Sequence, residues 1–206
     1  MLVDEDIYQT KIDRYSPSQL YFAEKRILEF FKIRQSEHLN KKIISNFEEY
    51  IQKKEKTLGF ILSVEQKKAV EIINDGNNSL FLIGYAGTGK STSSRAILEL
   101  LQEITPYDNI ICTALSGIAA QRISDTTGYN SGTIQSLLVK HKEEDFFPYK
   151  VILLDEASMV NSVTFYQIIS KIHPDAIFII VGDDGQLPAI GAGNILADSI
   201  KYELSP

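Results

Sequence analysis

Residues 79–92 read Ser-Leu-Phe-Leu-Ile-Gly-Tyr-Ala-Gly-Thr-Gly-Lys-Ser-Thr, and this stretch decides the fold. Residues 79–83 form a short apolar run of strand length. Residues 84–92 then match the pattern G-x-x-x-x-G-K-[ST] without a mismatch. Ala96, Ile97, Leu98, Leu100 and Leu101 follow at helical spacing. Strand, glycine-rich loop and helix together make a P-loop. Gly84, Gly87 and Gly89 let the backbone curl so that successive N–H groups face a polyphosphate. The helix behind them starts with its positive dipole end aimed at the same anion. Gly84, Ala86, Gly87, Thr88, Gly89, Lys90, Ser91 and Thr92 are therefore the expected ATP cradle. Within it Lys90 reaches the β and γ phosphates, and the Ser91 hydroxyl ligates Mg²⁺.

Outward from the P-loop, apolar runs of strand length recur at 109–113, 150–154 and 176–181. Helical patterns lie between and around them, near 64–74, 89–102, 116–126, 133–139 and 161–171. Alternation of this kind predicts an α/β fold with a mainly parallel sheet and helices on both faces. Ligands of such sheets sit at the carboxyl ends of the strands. Residues 1–57 read differently, as a small N-terminal helical segment ahead of an ATPase domain at 58–206. Brief apolar alternation at Leu2, Ile7 and Ile12 suggests a hairpin remnant. Ser16-Pro17-Ser18-Gln19 has the form of a helix start, with Ser16 as cap and Pro17 first in the helix. Leu20, Ala23, Ile27, Phe30 and Phe31 then mark one helical stripe, and Ile43, Ile44, Phe47, Tyr50 and Ile51 a second.

The second chemical motif ends the run Val151-Ile152-Leu153-Leu154 with Asp155-Glu156. This is the form of a Walker B strand: Asp155 holds the Mg²⁺ shell, and Glu156 orients and deprotonates a water attacking the γ-phosphate. A third strand runs into Gly182-Asp183-Asp184-Gly185-Gln186-Leu187-Pro188. There Gln186 is an uncharged group able to sense the γ-phosphate or its water, while Asp183 and Asp184 also suit a plain turn.

The remaining composition bounds the reading. The formal net charge of −6 is uneven: residues 1–60 carry 11 basic and 10 acidic side chains, and residues 61–206 carry 10 and 17. A nucleic-acid partner would thus need a local groove rather than a basic face. No apolar run has the length of a membrane span, and the acidic, polar N-terminus is not a signal peptide. The lone cysteine, Cys112, lies in an apolar run and reads as core; a reducing, cytoplasmic location is the simple expectation.

GYAGTGKST, LLDEASM and VGDDGQLPAIGAGNIL together resemble the RecD/TraA-type superfamily 1 DNA helicases, which move 5′ to 3′. The resemblance runs from Leu62 to about Ile200 and implies the first RecA-like motor domain of an ATP-dependent DNA helicase. Leu62-Ser63-Val64-Glu65-Gln66 looks like the family's Q-motif, which implies that Gln66 reads the adenine edge. Ser63 and Gln66 also form a capping box, so Gln66 has a purely structural rival role. Thr113 to Ile123, and Thr133 to Leu138, resemble the family's two single-strand contact motifs. The resemblance implies DNA contact at Thr113, Ser116, Gly117, Arg122 and Thr133; the rival reading leaves a helix start with Arg122 on a solvated face.

Three departures stand out. Leu115-Ser116 replaces the family's usual Pro-Thr, Gln135 stands where His is frequent, and 139–149 leaves room for at most a short strand-splitting hairpin. The family places a second RecA-like domain after the first, with an arginine that completes the ATP site. The expectation is therefore a motor piece that needs that domain as partner, with weak single-stranded DNA binding and little ATPase by itself. Two rivals remain at this level: a P-loop kinase, disfavoured by the arginine-poor second half, and a nucleotide-dependent interaction module without unwinding activity.

Overall fold

The computed structural model describes residues 7–9, 15–36, 42–85, 87–183 and 185. The chain starts with a two-stranded antiparallel ladder, β1 (Ile7–Gln9) against β2 (Tyr15–Pro17), in which Tyr8 pairs with Ser16. Helix α1 (Ser18–Ser36) follows directly. The expected helix start at Ser16-Pro17 is thus corrected by one residue. Both residues belong to the ladder, so Pro17 precedes the helix instead of opening it.

After α2 (Phe47–Leu58) and α3 (Val64–Asn74), the core is a five-stranded parallel sheet. Its strands are β3 (Ser79–Ile83), β4 (Ile110–Ala114), β5 (Ser131–Thr133), β6 (Val151–Leu154) and β7 (Ile177–Gly182). They lie in the order β3-β7-β6-β4-β5. The crossovers carry α4 (Lys90–Gln102), α5 (Gly117–Thr127), α6 (Ile134–Lys140) and α7 (Ser162–Ile169). The α/β fold expected from alternation is the one observed. β5 was not foreseen. Ser-Gly-Thr has no apolar pattern, and it becomes a strand only because Cys112, Thr113 and Ala114 pair with it.

Strands buried on both faces sort their side chains by parity. Ile177, Ile179 and Val181 of β7, with Val151 and Leu153 of β6, join the core under α3, α4 and α5. Phe178 and Ile180, with Ile152 and Leu154, point to the opposite face and meet Ile27, Phe31 and Phe165 from α1 and α7. The Phe31 ring lies 5.0 Å from that of Phe81 and 6.2 Å from that of Phe165. Full burial of such a side chain contributes roughly 1.5–3 kcal/mol, so α1 is a structural layer of the sheet's own core. Its last turn buries Arg34, whose Nη1 and Nη2 donate to the Ala176 carbonyl at 2.8 and 2.6 Å, just ahead of β7. Cys112 is fully buried, and that burial pushes its thiol up to about 12, in keeping with a core residue. Among the described residues no helix is long and apolar enough to cross a membrane.

One consequence of the strand order governs the chemistry. β7 lies between the P-loop strand β3 and the acid-bearing strand β6. Ile83 pairs with Gly182, and Leu154 with Ile180, so the three strands end close together at one rim.

Candidate functional site

The loop from β3 into α4 needs glycine at two points for backbone reasons. Gly87 and Gly89 have φ of +82° and +84°, a region that L-residues rarely occupy. A side chain at Gly89 would also meet Gln66 Nε2 at 2.3 Å. Thr88 closes the turn by donating its hydroxyl to the Tyr85 carbonyl at 2.8 Å. Lys90, first residue of α4, turns back over the loop: its Nζ donates to the carbonyls of Gly84 and Tyr85 and lies 3.5 Å from Asp183 Oδ2. The ammonium is thereby held at the mouth of the loop. Ser91 is exposed beside it, and Thr92 is half-buried. Ala86 lies outside the described residues.

At the end of β6, Asp155 donates its backbone N–H to the Thr113 carbonyl at 2.8 Å, tying β6 to β4. Its Oδ1 accepts the Glu156 N–H at 2.9 Å. Burial holds the Asp155 carboxyl above the usual carboxylate range, opposed by that N–H and by the charges of Arg122 and Lys90. Glu156 is shifted the same way, first by burial and then by the neighbouring Asp155 charge, with Arg122 opposing. Among the described residues Glu156 is the one non-glycine with positive φ, at +53°. A left-handed residue of this kind costs about 1–2 kcal/mol. The turn it makes redirects the chain from β6 into residues 157–159 and turns its carboxylate to the cleft.

Lys90, Ser91, Asp155 and Glu156 line one cleft of about 310 Å³ with Gly87 and Gly89. The same cleft takes in residues that the sequence left in other roles. Asp183 is buried, lies near Lys90, and accepts the Gly185 N–H through Oδ1 at 2.9 Å, so it is both turn residue and cleft wall. Arg122 and Thr126 reach the cleft from α5. Their proximity to Glu156 has no local signal, because the sheet order creates it.

A second recess, which Lys90 also borders, is lined by Ser63, Gln66, Leu82, Ile83, Tyr85 and Thr88. Here Gln66 completes the capping box of α3: its Oε1 accepts the Ser63 N–H at 2.9 Å. Its Nε2 donates to the Gly89 carbonyl at 3.3 Å. Gln66 thus joins the start of α3 to the P-loop. Gln186 lies outside the described residues.

The expected strand-contact residues are not gathered in the cleft, Arg122 excepted. Thr113 is corrected outright: it is fully buried, its hydroxyl meets no hydrogen-bond partner among the described residues, and its carbonyl accepts the Asp155 N–H. Ser116 and Thr133 cap α5 and α6, accepting the N–H groups of Ala119 and Ser136, each at 3.1 Å. Ser116 and Gly117 are exposed at the rim, and Thr133 is half-buried.

Parts of this sequence are similar to known proteins. A family model described as an AAA domain matches residues 61–205. The ATP-dependent RecD2 DNA helicase of Deinococcus radiodurans is 31% identical over 138 residues, which cover 64% of this chain and 19% of that protein. The conjugal transfer protein TraA of Rhizobium radiobacter is 33% identical over 147 residues, 68% of this chain and 13% of that protein. The crystal structure of Pif1 helicase from Candida albicans is 25% identical with a TM-score of 0.44, over 64% of this chain and 35% of that one.

Proposed function

The chain belongs to the AAA domain family, and from that premise we propose that it is a RecD-type motor domain that binds Mg-ATP and hydrolyses it to move along single-stranded DNA. One observation carries the reading: Lys90, at the start of α4, and Asp155 and Glu156, just after β6, line a single cleft with the P-loop glycines. Similarity to the RecD2 helicase and to TraA supports the choice of helicase over other P-loop enzymes.

Each residue has a role set by its surroundings. Lys90 neutralises phosphate charge at the loop mouth, where it is already held by backbone carbonyls. Ser91 and Asp155 fit Mg²⁺, since a buried carboxylate raised by desolvation is eased by a bound cation. When bound, Mg²⁺ supplies further neutralisation of the phosphate oxygens. Glu156, less buried than Asp155 and raised in proton affinity, is placed to take a proton from water in the cleft. Gln66 and Tyr85 flank the base-side recess, and Gln66 reads the adenine edge there. Gln186 senses the γ-phosphate. Residues 58–206 act as the first RecA-like domain, with 1–57 as the segment ahead of it. A second RecA-like domain of the same protein completes the nucleotide site and the strand groove. The exposed rim at Ser116 and Gly117 faces the strand.

Calorimetry with a non-hydrolysable ATP analogue and Mg²⁺ tests the site. Lys90→Ala removes a charge-assisted contact of about 1.5–3 kcal/mol, so affinity should fall roughly tenfold to a hundredfold. Equal binding by the wild type and Lys90→Ala would remove the site assignment.

A further inference from the structure

Arg122 lies on α5, in the segment whose resemblance assigns it to the DNA strand. Its surroundings say otherwise. It lines the cleft of Lys90, Ser91, Asp155 and Glu156, not the base-side recess. Lys90 borders both hollows: the recess is a base side, with Gln66 and Tyr85, and the cleft an acid side, with Asp155 and Glu156. Arg122 is on the acid side, where the motor-domain reading puts the terminal phosphate of a bound triphosphate.

We propose that Arg122 is a nucleotide-facing residue supplied by this domain itself, which binds the terminal phosphate and so separates nucleoside triphosphate from diphosphate. The inference rests on the motor-domain reading above.

Three observations support it. The first is charge. Asp155, Glu156 and Asp183 bring three carboxylates to the cleft lining, against the two cations Lys90 and Arg122. Lys90 is engaged with two loop carbonyls and with Asp183. Arg122 makes no ion pair within 4.0 Å among the described residues, which leaves its planar fork available for a two-point contact with phosphate oxygens. Its charge is nonetheless felt at the site, lowering the proton affinity of both Asp155 and Glu156.

The second is anchoring. α5 is capped by Ser116, buries Ala119, Ala120 and Ile123, and packs on the P-loop helix α4. The Arg122 backbone is therefore fixed relative to the phosphate loop, even though its side chain is exposed.

The third is the face it shares. Thr126, one turn on, lines the same cleft and donates its hydroxyl to the Arg122 carbonyl at 2.7 Å. Arg122, Ile123 and Thr126 thus present one side of α5 to the cleft, whereas Ser116 and Gly117 mark its other, exposed end.

The test is fluorescence titration of this chain with Mg-ADP and with a Mg-bound non-hydrolysable ATP analogue, beside anisotropy with a single-stranded oligonucleotide. The variants are Arg122→Ala and Arg122→Lys, with thermal melting to confirm the fold. Arg122→Ala should lose about tenfold in affinity for the analogue and less than twofold for ADP, because one bidentate contact is removed. Arg122→Lys should recover part of the loss, since it restores the charge but not the fork. Equal losses for both nucleotides, or none, would overturn the inference while wild-type binding keeps the motor-domain reading intact. A loss confined to the oligonucleotide would return Arg122 to the strand. Failure of the wild type to bind either nucleotide would bring down both readings together.

Discussion

Two stretches of the same sheet rim carry polar residues that a motif reading treats alike, and the structure treats them differently. Around the P-loop and the end of β6, Lys90, Ser91, Asp155 and Glu156 turn polar atoms into a shared cleft. Around the ends of β4 and β5, Ser116 and Thr133 engage their hydroxyls in helix caps, and the Thr113 hydroxyl is buried. The first stretch tolerates features that cost stability: a left-handed Glu156, a desolvated Asp155 and a crowded Gly89. The second is locally satisfied. Strain and unpaired charge mark where chemistry is done, whereas capped, quiet residues mark where the fold is held.

The sharpest way to break this contrast is at Glu156. In the protein together with its second RecA-like domain, Glu156→Gln should lower DNA-stimulated phosphate release by about 10²–10⁴-fold, the usual worth of a general base. Nucleotide affinity should remain. Lost binding in a folded variant would mean that Glu156 shapes the cleft instead of acting on water.

On the quiet side, Ser116→Ala and Thr133→Ala should each cost about 1 kcal/mol, the typical value of an N-cap, and leave nucleotide affinity unchanged. Thermal melting and the same calorimetry check this. An affinity change larger than the stability change would move these residues to the active side.

Asp155→Asn should act in the opposite sense, by a smaller margin than a cap. A carboxyl raised in the fold contributes stability that is complete below its ordinary value near pH ~3.9 and lost as pH rises through the raised value. Asparagine removes the ionised form and keeps an acceptor for the Glu156 N–H. At pH 7 the variant should therefore melt higher than the wild type without nucleotide, and the gain should vanish towards acid. Mg²⁺ with nucleotide should then favour the wild type. A variant that melts lower at pH 7 would show that the buried charge is stabilised rather than strained.

The smallest effect is expected at Thr113→Val. The hydroxyl has no hydrogen-bond partner among the described residues, so an apolar replacement of the same shape should raise stability by a few tenths of a kcal/mol, up to about 1. A marked loss of stability or of DNA binding would reveal a partner for that hydroxyl.

Much of this is legible in the amino-acid sequence. The parallel sheet, its four long strands, the P-loop with Lys90 and Ser91, and the acid pair after β6 all follow from short windows of sequence. In those windows neighbouring residues impose the backbone: a short continuous apolar run makes a strand buried on both faces, and Gly87 and Gly89 allow a loop that other residues resist. What the sequence determined by itself is therefore each local piece and its chemical type. Only the tertiary structure decided which pieces meet. β5 exists because β4 offers it an edge. Arg34 is buried because the Ala176 carbonyl waits at the far end of the chain's path. Asp183 reaches Lys90 because β7 is inserted beside β3. Arg122 shares a cleft with Glu156 because β4, which α5 follows, lies beside β6 in the sheet. Strand order and helix packing are set by burial of apolar faces summed over the whole core, and that sum leaves no mark on the few residues it brings together.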